Sequence, residues 1–201
     1  MFSHTGRWLA TVSYADHTVG LWDMTAPGSS SSVRKLTHRN PVPEDVLNAI
    51  AFSPDERQLA VTFGYLVQLW DLTAADPCAT PLLQGDRKKW IQAVGFSPDG
   101  HWLATAGQAT VVKPWELSAR DPGARPIPLP GHRAAVKTLA FSSTGRWLDT
   151  AGQDATVRLW DLIDPTIPSV PSDESSSQSD LAIGSEQWQQ WGMRTRSRRQ
   201  G

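Results

Sequence analysis

Three side chains in the C-terminal half of the chain are the residue types of a hydrolytic triad. They are His132, Thr150 and Asp154, and in such a triad an acid orients a histidine that activates a hydroxyl nucleophile. The five histidines of the chain lack the spacing of metal ligands. The single cysteine, Cys78, has no adjacent histidine that would activate its thiol. Apart from this candidate, the sequence predicts no catalytic site, no metal site and no cofactor.

The position of these three residues within a repeat argues against catalysis. Tryptophan followed by an acidic residue recurs every 45–48 residues, and a repeat of this length is typical of a propeller or solenoid array. The four pairs are Trp22-Asp23, Trp70-Asp71, Trp115-Glu116 and Trp160-Asp161. Because each repeat has one acid, the acids are not a paired catalytic set, and packing explains the tryptophans better than sugar binding does. By the same reasoning, the candidate triad is interpreted as a structural network.

Each repeat has the pattern of short β-strands joined by turns. In the fourth repeat, residues 136–141 alternate with the period of a strand, 142–145 form a turn, and 146–151 make a second strand. The segment 156–162, which contains β-branched residues, is a third strand, and proline-containing connections such as 127–129 fit a short edge strand. No segment has a helical period over about ten residues. We therefore predict an all-β fold.

These motifs resemble those of the WD-repeat (WD-40) β-propeller family. The resemblance is carried by Gly131-His132, by turns of the Phe-Ser-Pro-Asp-Gly type, by Leu-Ala-Thr and by Trp-Asp, and it covers residues 2–162. It implies a ring of four-stranded blades. The connections between repeats also resemble those of long bacterial propellers, in which the repeats often follow a kinase, protease or NTPase domain.

The resemblance also implies a role for the residues of the candidate triad. In the family, a histidine, a serine or threonine, an aspartate and the blade tryptophan form one hydrogen-bonded chain within a blade. Only the fourth repeat has all four residues: His132, Thr150, Asp154 and Trp160. Val61 replaces the threonine in the second repeat, and Ala109 replaces the aspartate in the third.

The repeats divide the chain into about four units, expected at 1–35, 36–82, 83–127 and 128–170. Propellers close with about four to eight blades, and the first unit lacks some of its strands. We therefore expect an incomplete or open ring, either a fragment of a larger propeller or a chain that self-associates to complete the ring. Residues 171–201 are interpreted as a decayed fifth unit with a disordered Ser-rich and Arg-rich tail.

Two residues depart from the pattern of the strands. Pro114 stands where the other repeats have leucine, and a proline inside a sheet removes a ladder hydrogen bond. Asp149 stands where the other three repeats have alanine, and burying a carboxylate is costly. We hypothesise that the sheet face bearing Asp149 is poorly covered. Full burial of an unpaired Asp149 would contradict this hypothesis.

The best binding candidate is the basic segment that precedes the first strand of the third repeat. The candidate residues are Lys88, Lys89 and Trp90, with Arg133 as the equivalent basic position one repeat later. An exposed tryptophan flanked by cations is typical of a binding hot spot, and the resemblance places such connections at the rim of the central channel. The alternative, that Trp90 merely caps its blade, carries equal weight.

Composition narrows the class of function. The formal net charge is −1, which excludes a strongly basic nucleic-acid binder, and the basic tail 194–199 makes nucleic-acid binding only a minor alternative. No apolar run is long enough to cross a membrane. We predict a cytoplasmic, non-enzymatic scaffold that presents loops to a protein partner whose identity is unknown. The alternative is a regulatory or sensor segment of a larger bacterial kinase, protease or NTPase.

Overall fold

The computed structural model describes seven parts of the chain: residues 1–13, 18–25, 33–37, 47–74, 82–84, 89–117 and 126–163. Several predictions from the sequence lie outside these residues. They concern Lys88, the decayed fifth unit and the Ser-rich and Arg-rich tail.

The described residues form four antiparallel sheets and no helix. Sheet 1 contains β1 (Trp8–Ser13), β2 (Thr18–Asp23) and β3 (Val33–Thr37). Sheet 2 contains β4 (Leu47–Phe52), β5 (Gln58–Phe63), β6 (Leu66–Asp71) and β7 (Leu82–Gln84). Sheet 3 contains β8 (Ile91–Phe96), β9 (Trp102–Gly107), β10 (Val111–Glu116) and β11 (Leu129–Pro130). Sheet 4 contains β12 (Val136–Phe141), β13 (Trp147–Gly152) and β14 (Val157–Asp161). The prediction of an all-β fold is confirmed.

The turn between the first two strands of a sheet is built by short-range hydrogen bonds. In sheet 3, the Ser97 hydroxyl accepts the Trp102 N–H at 2.9 Å, and the Gly100 N–H donates to the Ser97 carbonyl at 2.9 Å. Gly100 has φ +72°, a conformation that costs glycine little. Glu56 takes the equivalent position in sheet 2 with φ +58°, although it has a side chain.

Each sheet has two distinct ends. The start of the first strand lies beside the end of the second, as Ile91 lies opposite Gly107. We call this the upper end of a sheet, and we call the end with the Ser-Pro-Asp-Gly type of turn the lower end. The upper ends of neighbouring sheets touch, because the Ile91 N–H donates to the Gly64 carbonyl at 2.7 Å. Likewise, Lys137 Nζ donates to Gln92 Oε1 at 2.8 Å.

Consecutive sheets pack face to face through the repeating tryptophans. Trp70 shares one apolar cluster with Ala10 of the preceding sheet. Trp115 shares a second cluster with Ala60, and Trp160 shares a third with Ala104. Burying an indole removes roughly 200 Å² from water, which contributes about 5 kcal/mol at about 25 cal/mol per Å². The alanine is therefore the small residue on which the indole of the next sheet rests.

Pro114 weakens its sheet less than its position in the sequence suggests. Its carbonyl accepts the Ile127 N–H at 3.0 Å, on the outer side of β10. Because the N–H and C=O of one strand residue point the same way, the missing donor also points outward. The ladder between β9 and β10 therefore continues past Pro114, which pairs with Ala104.

The sheet 4 face that bears Asp149 is only partly covered. Asp149 itself is half-buried, while its neighbours on β14, Leu159 and Val157, are 47% and 39% exposed. One carboxylate oxygen of Asp149 is itself buried and has no hydrogen-bond partner in the described part of the chain. Burial raises the pKa of the Asp149 carboxyl above its ordinary value. The residue as a whole is not fully buried, so the hypothesis of a poorly covered face is not contradicted, but the buried oxygen does not confirm it.

Candidate binding surface and the network beside it

In sheet 4, four side chains form one chain of hydrogen bonds. The Trp160 indole N–H donates to Thr150 Oγ1 at 2.9 Å, and Thr150 Oγ1 lies 2.8 Å from His132 Nε2. His132 Nδ1 lies 2.9 Å from an Asp154 oxygen. The Asp154 carboxylate accepts from Nδ1–H, and Nε2 is assigned as the acceptor of the threonine hydroxyl proton; this tautomer is assigned from the partners.

The Asp154 carboxylate is held by several donors at the upper end of sheet 4. Burial opposes its charge and would raise its pKa, but hydrogen bonds from the Arg133 N–H and from Thr156 outweigh that effect. The Arg133 N–H donates at 2.8 Å, and the Thr156 hydroxyl donates at 2.8 Å. Together with the His132 contact, they hold the pKa of Asp154 far below its ordinary value.

The geometry of this network suits structure rather than catalysis. Thr150 is 1% exposed and His132 is 5% exposed, so a substrate has no path to the hydroxyl. The hydroxyl also uses its proton on His132 and accepts from Trp160. A nucleophile needs an open side facing the reacting atom, which Thr150 lacks. The network instead ties the residues before β12 to β13 and β14.

The other sheets keep fragments of the same network. The indole N–H donates to a threonine hydroxyl in sheet 3 (Trp115 to Thr105, 3.1 Å) and in sheet 1 (Trp22 to Thr11, 3.0 Å). In sheet 2, Val61 supplies no hydroxyl. Trp70 is there 0% exposed, and its indole nitrogen has no partner among the described residues.

In sheet 3, the incomplete network leaves a small cleft at the upper end. Thr105 pairs with Lys113 as Thr150 pairs with Arg158 in sheet 4, and Ala109 follows Thr105 by four residues as Asp154 follows Thr150. The cleft has a volume of about 20 Å³, enough for about one water molecule. Its lining residues are Lys89, Trp90, Ile91, Thr105, Ala106, Gly107, Ala109, Val111 and Lys113.

Trp90 is fixed by its backbone and leaves part of its ring in solvent. Its carbonyl accepts the Gln108 N–H at 2.8 Å, and its own N–H donates to Gln108 Oε1 at 3.2 Å. A Cβ on Gly107 would lie 2.1 Å from the Trp90 carbonyl oxygen, so this close approach requires glycine. The residue is nevertheless 36% exposed. A rigid backbone with an exposed ring is suited to binding without a large ordering cost.

The other predicted binding residues are placed as follows. Lys89 lines the cleft beside Trp90. Arg133 is exposed at the upper end of sheet 4, where its N–H is held by Asp154. Reasoning from the sequence did not select Lys113, which lies in β10 and lines the same cleft. The loss of the aspartate at Ala109, with a cation four residues later, is the signal that identifies it.

Metal and membrane sites were also sought in the described residues. No group of three or more His, Cys, Asp or Glu side chains in these parts of the chain could hold a metal ion. Within the same residues, no helix is long and apolar enough to cross a membrane.

The fold and the repeating indole contacts define the class of protein. Antiparallel sheets of three or four strands that pack face to face in chain order are blades of the β-propeller type. The profile of the family "WD domain, G-beta repeat" matches residues 1–23, 77–113 and 125–161. Three regions of the chain therefore match WD repeats, in agreement with the resemblance that its motifs indicate.

Similar proteins are found among subunits of one complex. The chain is 33% identical over 101 residues to "Target of rapamycin complex subunit LST8" of Rattus norvegicus. It is 31% identical over 101 residues to "Protein LST8 homolog" of Drosophila melanogaster and 28% identical over 98 residues to "Target of rapamycin complex subunit wat1" of Schizosaccharomyces pombe. The aligned region is 49–50% of this chain but only 28–29% of the length of these relatives.

Proposed function

We propose that this chain is a non-enzymatic scaffold that binds a protein partner at the upper end of sheets 3 and 4. Two of the three relatives are named as subunits of a complex, which supports a role in assembly. The observation that carries the proposal is Trp90, whose backbone is fixed while the residue is 36% exposed. Tryptophan is enriched at binding hot spots because it removes a large area from water with little loss of side-chain freedom.

The choice of this end of the sheets follows from how each end is built. At the lower end, the turn side chains satisfy one another, as the Ser97 hydroxyl does with Asp99. At the upper end, Trp90 and Lys89 project beside a cleft that no described side chain fills. The rigid sheets hold these groups in place before a partner arrives.

The test is a comparison of two tryptophan variants. A tagged full chain is used to isolate a partner, the partner is purified, and its Kd is measured with Trp90→Ala and with Trp147→Ala. Trp147 lies at the lower end, where it stacks with Arg146, and serves as the matched control. We expect Trp90→Ala to weaken binding at least about tenfold with little change in melting temperature, and Trp147→Ala to leave the Kd unchanged.

Two results would oppose the proposal. If Trp90→Ala lowers the melting temperature strongly, Trp90 caps its blade and is not a binding residue. If both variants bind the purified partner as the wild type does, the partner uses another surface.

We also infer that the chain can self-associate through the outer faces of sheets 1 and 4. At each contact between consecutive sheets, a tryptophan face packs on the alanine face of the preceding sheet. Trp22 is the corresponding tryptophan of sheet 1, which is the first sheet of the described residues, and Asp149 stands at the alanine position of sheet 4, which is the last. The outer faces of sheets 1 and 4 therefore correspond to the two kinds of face that pack together at each contact between sheets within the chain.

Asp149 makes this association weak at neutral pH, because a carboxylate would be buried under an indole. Sedimentation velocity over a range of concentrations tests the inference. We expect the wild type to associate weakly and Asp149→Ala to associate at lower concentration. A monomer at every concentration in both proteins would contradict it.

A cytoplasmic location remains part of the proposal. It is motivated by the single cysteine, since chains stabilised by disulfides belong to oxidising compartments. Fractionation of cells that express the tagged chain, with markers for each compartment, tests it; recovery with the membrane or secreted markers would count against it.

A further inference from the structure

The charged side chains of the described residues are unevenly divided between the two ends of the sheets. Of nine described carboxylates, seven lie at the lower end, in the turns or at the ends of third strands. They are Asp23, Asp55, Glu56, Asp71, Asp99, Glu116 and Asp161. Cations accompany them there, as Arg7 does Asp23 at 3.7 Å and Arg146 does Asp161 at 2.7 Å. Two of the seven carboxylates are paired with an arginine in this way, and among the described residues the lower end keeps an excess of negative charge.

The upper end of sheets 3 and 4 has the opposite balance. Asp154 is the single carboxylate among the described residues at that end, and its oxygens are occupied by donors from its own blade. Lys89, Arg133 and Lys137 lie at the same end. Lys137 bonds to the neutral amide of Gln92, so its charge is not neutralised by that contact. This end consequently carries an excess of positive charge in the described part of the chain.

The cleft in sheet 3 concentrates this charge beside a hydroxyl group. Lys89 and Lys113 both line it, and no carboxylate of the described residues does. The Thr105 hydroxyl accepts the indole N–H of Trp115 and makes a long contact of 3.3 Å to the Lys113 carbonyl. Thr105 is 3% exposed, so a partner reaches the mouth of the cleft and not this hydroxyl. In sheet 4, His132 and Asp154 supply the partners that the equivalent hydroxyl needs.

We propose that the upper end of sheets 3 and 4 binds an acidic segment of a protein partner, with one carboxylate at the mouth of this cleft. Lys89 and Lys113 supply the positive charge. The cleft volume of about 20 Å³ is that of about one water molecule, so the carboxylate lies against the two lysines at the mouth rather than deep inside the cleft. The inference rests on the proposed function, because that proposal names the surface and this one names the chemistry of the partner.

Trp90 adds the apolar part of the contact. It stands at the edge of the cleft with its ring partly exposed, where the methylene groups of a glutamate side chain can pack on it. Ionic contacts of this kind weaken as salt screens them. A segment with several acidic residues would also approach the positively charged end more quickly than a neutral one.

The test uses the full chain and three labelled decapeptides of known sequence. One alternates glutamate with alanine, one glutamine with alanine and one lysine with alanine, and binding is followed by fluorescence anisotropy at several salt concentrations. We expect the glutamate peptide alone to bind, with an affinity that falls as salt rises. Equal binding of the glutamine peptide would overturn the inference.

Three variants locate the site. Lys113→Gln is expected to weaken binding of the glutamate peptide about tenfold, as the loss of one charge-assisted hydrogen bond does. Ala109→Asp places a carboxylate at the position that corresponds to Asp154 and is expected to abolish binding by occupying the cleft. Arg57→Gln, which removes an exposed cation at the lower end, is the control and is expected to have no effect. If all three variants lose affinity for the glutamate peptide equally, binding depends only on the overall charge of the protein, and the inference is overturned.

A competition experiment tests whether the site prefers a carboxylate to a phosphate, and binding of the purified partner then distinguishes this inference from the proposed function. Acetate at the same ionic strength should displace the glutamate peptide better than inorganic phosphate does; stronger displacement by phosphate would overturn the assignment to a carboxylate. If Trp90→Ala weakens the purified partner but Lys113→Gln does not, the inference fails while the proposed function stands. If neither variant affects that partner, both fail.

Discussion

Replacing the buried threonine of the sheet 4 network with valine should strongly destabilise the protein. Thr150→Val keeps the shape of the side chain and removes only the hydroxyl. That hydroxyl joins Trp160 Nε1 at 2.9 Å and His132 Nε2 at 2.8 Å. Both partner groups would be left buried without a hydrogen bond, because Thr150 is 1% exposed and water cannot replace it.

The size of the effect follows from the number of groups left unpaired. Each buried polar group without a partner costs about 1–3 kcal/mol. Thr150→Val leaves two such groups, which cost about 2–6 kcal/mol together. The extra methyl group returns about 1 kcal/mol, so we expect the free energy of unfolding to fall by about 1–5 kcal/mol. Such a loss is a large part of the stability of a small domain.

The same substitution elsewhere in the chain supplies graded controls. Thr105→Val removes the partner of Trp115 alone and should cost about 1–2 kcal/mol. Thr11→Val should cost less than about 0.5 kcal/mol, because Thr11 is exposed and water can take its place. The reverse change, Val61→Thr, gives Trp70 the hydroxyl it lacks and should lie within about 1 kcal/mol of the wild type.

Urea unfolding followed by far-ultraviolet circular dichroism and tryptophan fluorescence measures the series. Coincident curves from the two probes establish that each variant unfolds in one step, and an unchanged slope with urea shows that only stability has changed. The reasoning is refuted if Thr150→Val and Thr11→Val have equal effects. It is also refuted if Val61→Thr destabilises as much as Thr150→Val.

Three further predictions concern Gly107, Asp149 and Asp154. Gly107→Ala should lower the free energy of unfolding by about 1–3 kcal/mol, because its Cβ would lie 2.1 Å from the Trp90 carbonyl oxygen. Gly95→Ala should lower it less, because its Cβ meets only the end of a leucine side chain at 3.0 Å. Thermal melts compare the two variants. Asp149→Ala should raise the free energy of unfolding by about 0.5–1 kcal/mol at neutral pH. Since burial raises the pKa of Asp149, the ionised form opposes folding, so the advantage of alanine should shrink as pH falls through that pKa; urea unfolding from pH 7 to pH 3 checks the trend. Because the pKa of Asp154 is lowered in the folded state, the stability that its carboxylate contributes is present above about pH 4 and is lost as pH falls below that value. The free energy of unfolding of Asp154→Asn should therefore fall less steeply with decreasing pH than that of the wild type. Parallel curves for the two proteins would count against the assigned hydrogen bonds.

The all-β architecture was predictable because its signals are local. Period-two alternation and turns with proline, aspartate and glycine act within a few residues of the chain, and the tryptophans spaced by 45–48 residues show that this local pattern repeats. The positive φ at Gly100 follows from its turn. The positive φ of Glu56 (+58°) could not be predicted in this way, because a glutamate rarely adopts that conformation.

The candidate site was predictable only in part, because it depends on neighbours in space. The sequence singles out Lys89 and Trp90 but not Lys113, which is distant in the chain and reaches the cleft only through the pairing of β10 with β9. The effect of Pro114 also needed coordinates. Whether its missing donor points toward β9 or outward depends on the register of the sheet.

By itself, the sequence determined the repeat, the strands and the residues that complete the network in sheet 4, since these follow from periodicity and local turn chemistry. Tertiary structure alone decided which polar groups find partners. It leaves the Trp70 indole nitrogen unpaired, half-buries Asp149 and gathers Lys89 and Lys113 around one cleft. The physical reason is that hydrogen bonding, burial and charge depend on distances between residues far apart in the chain, which sheet pairing and blade packing set.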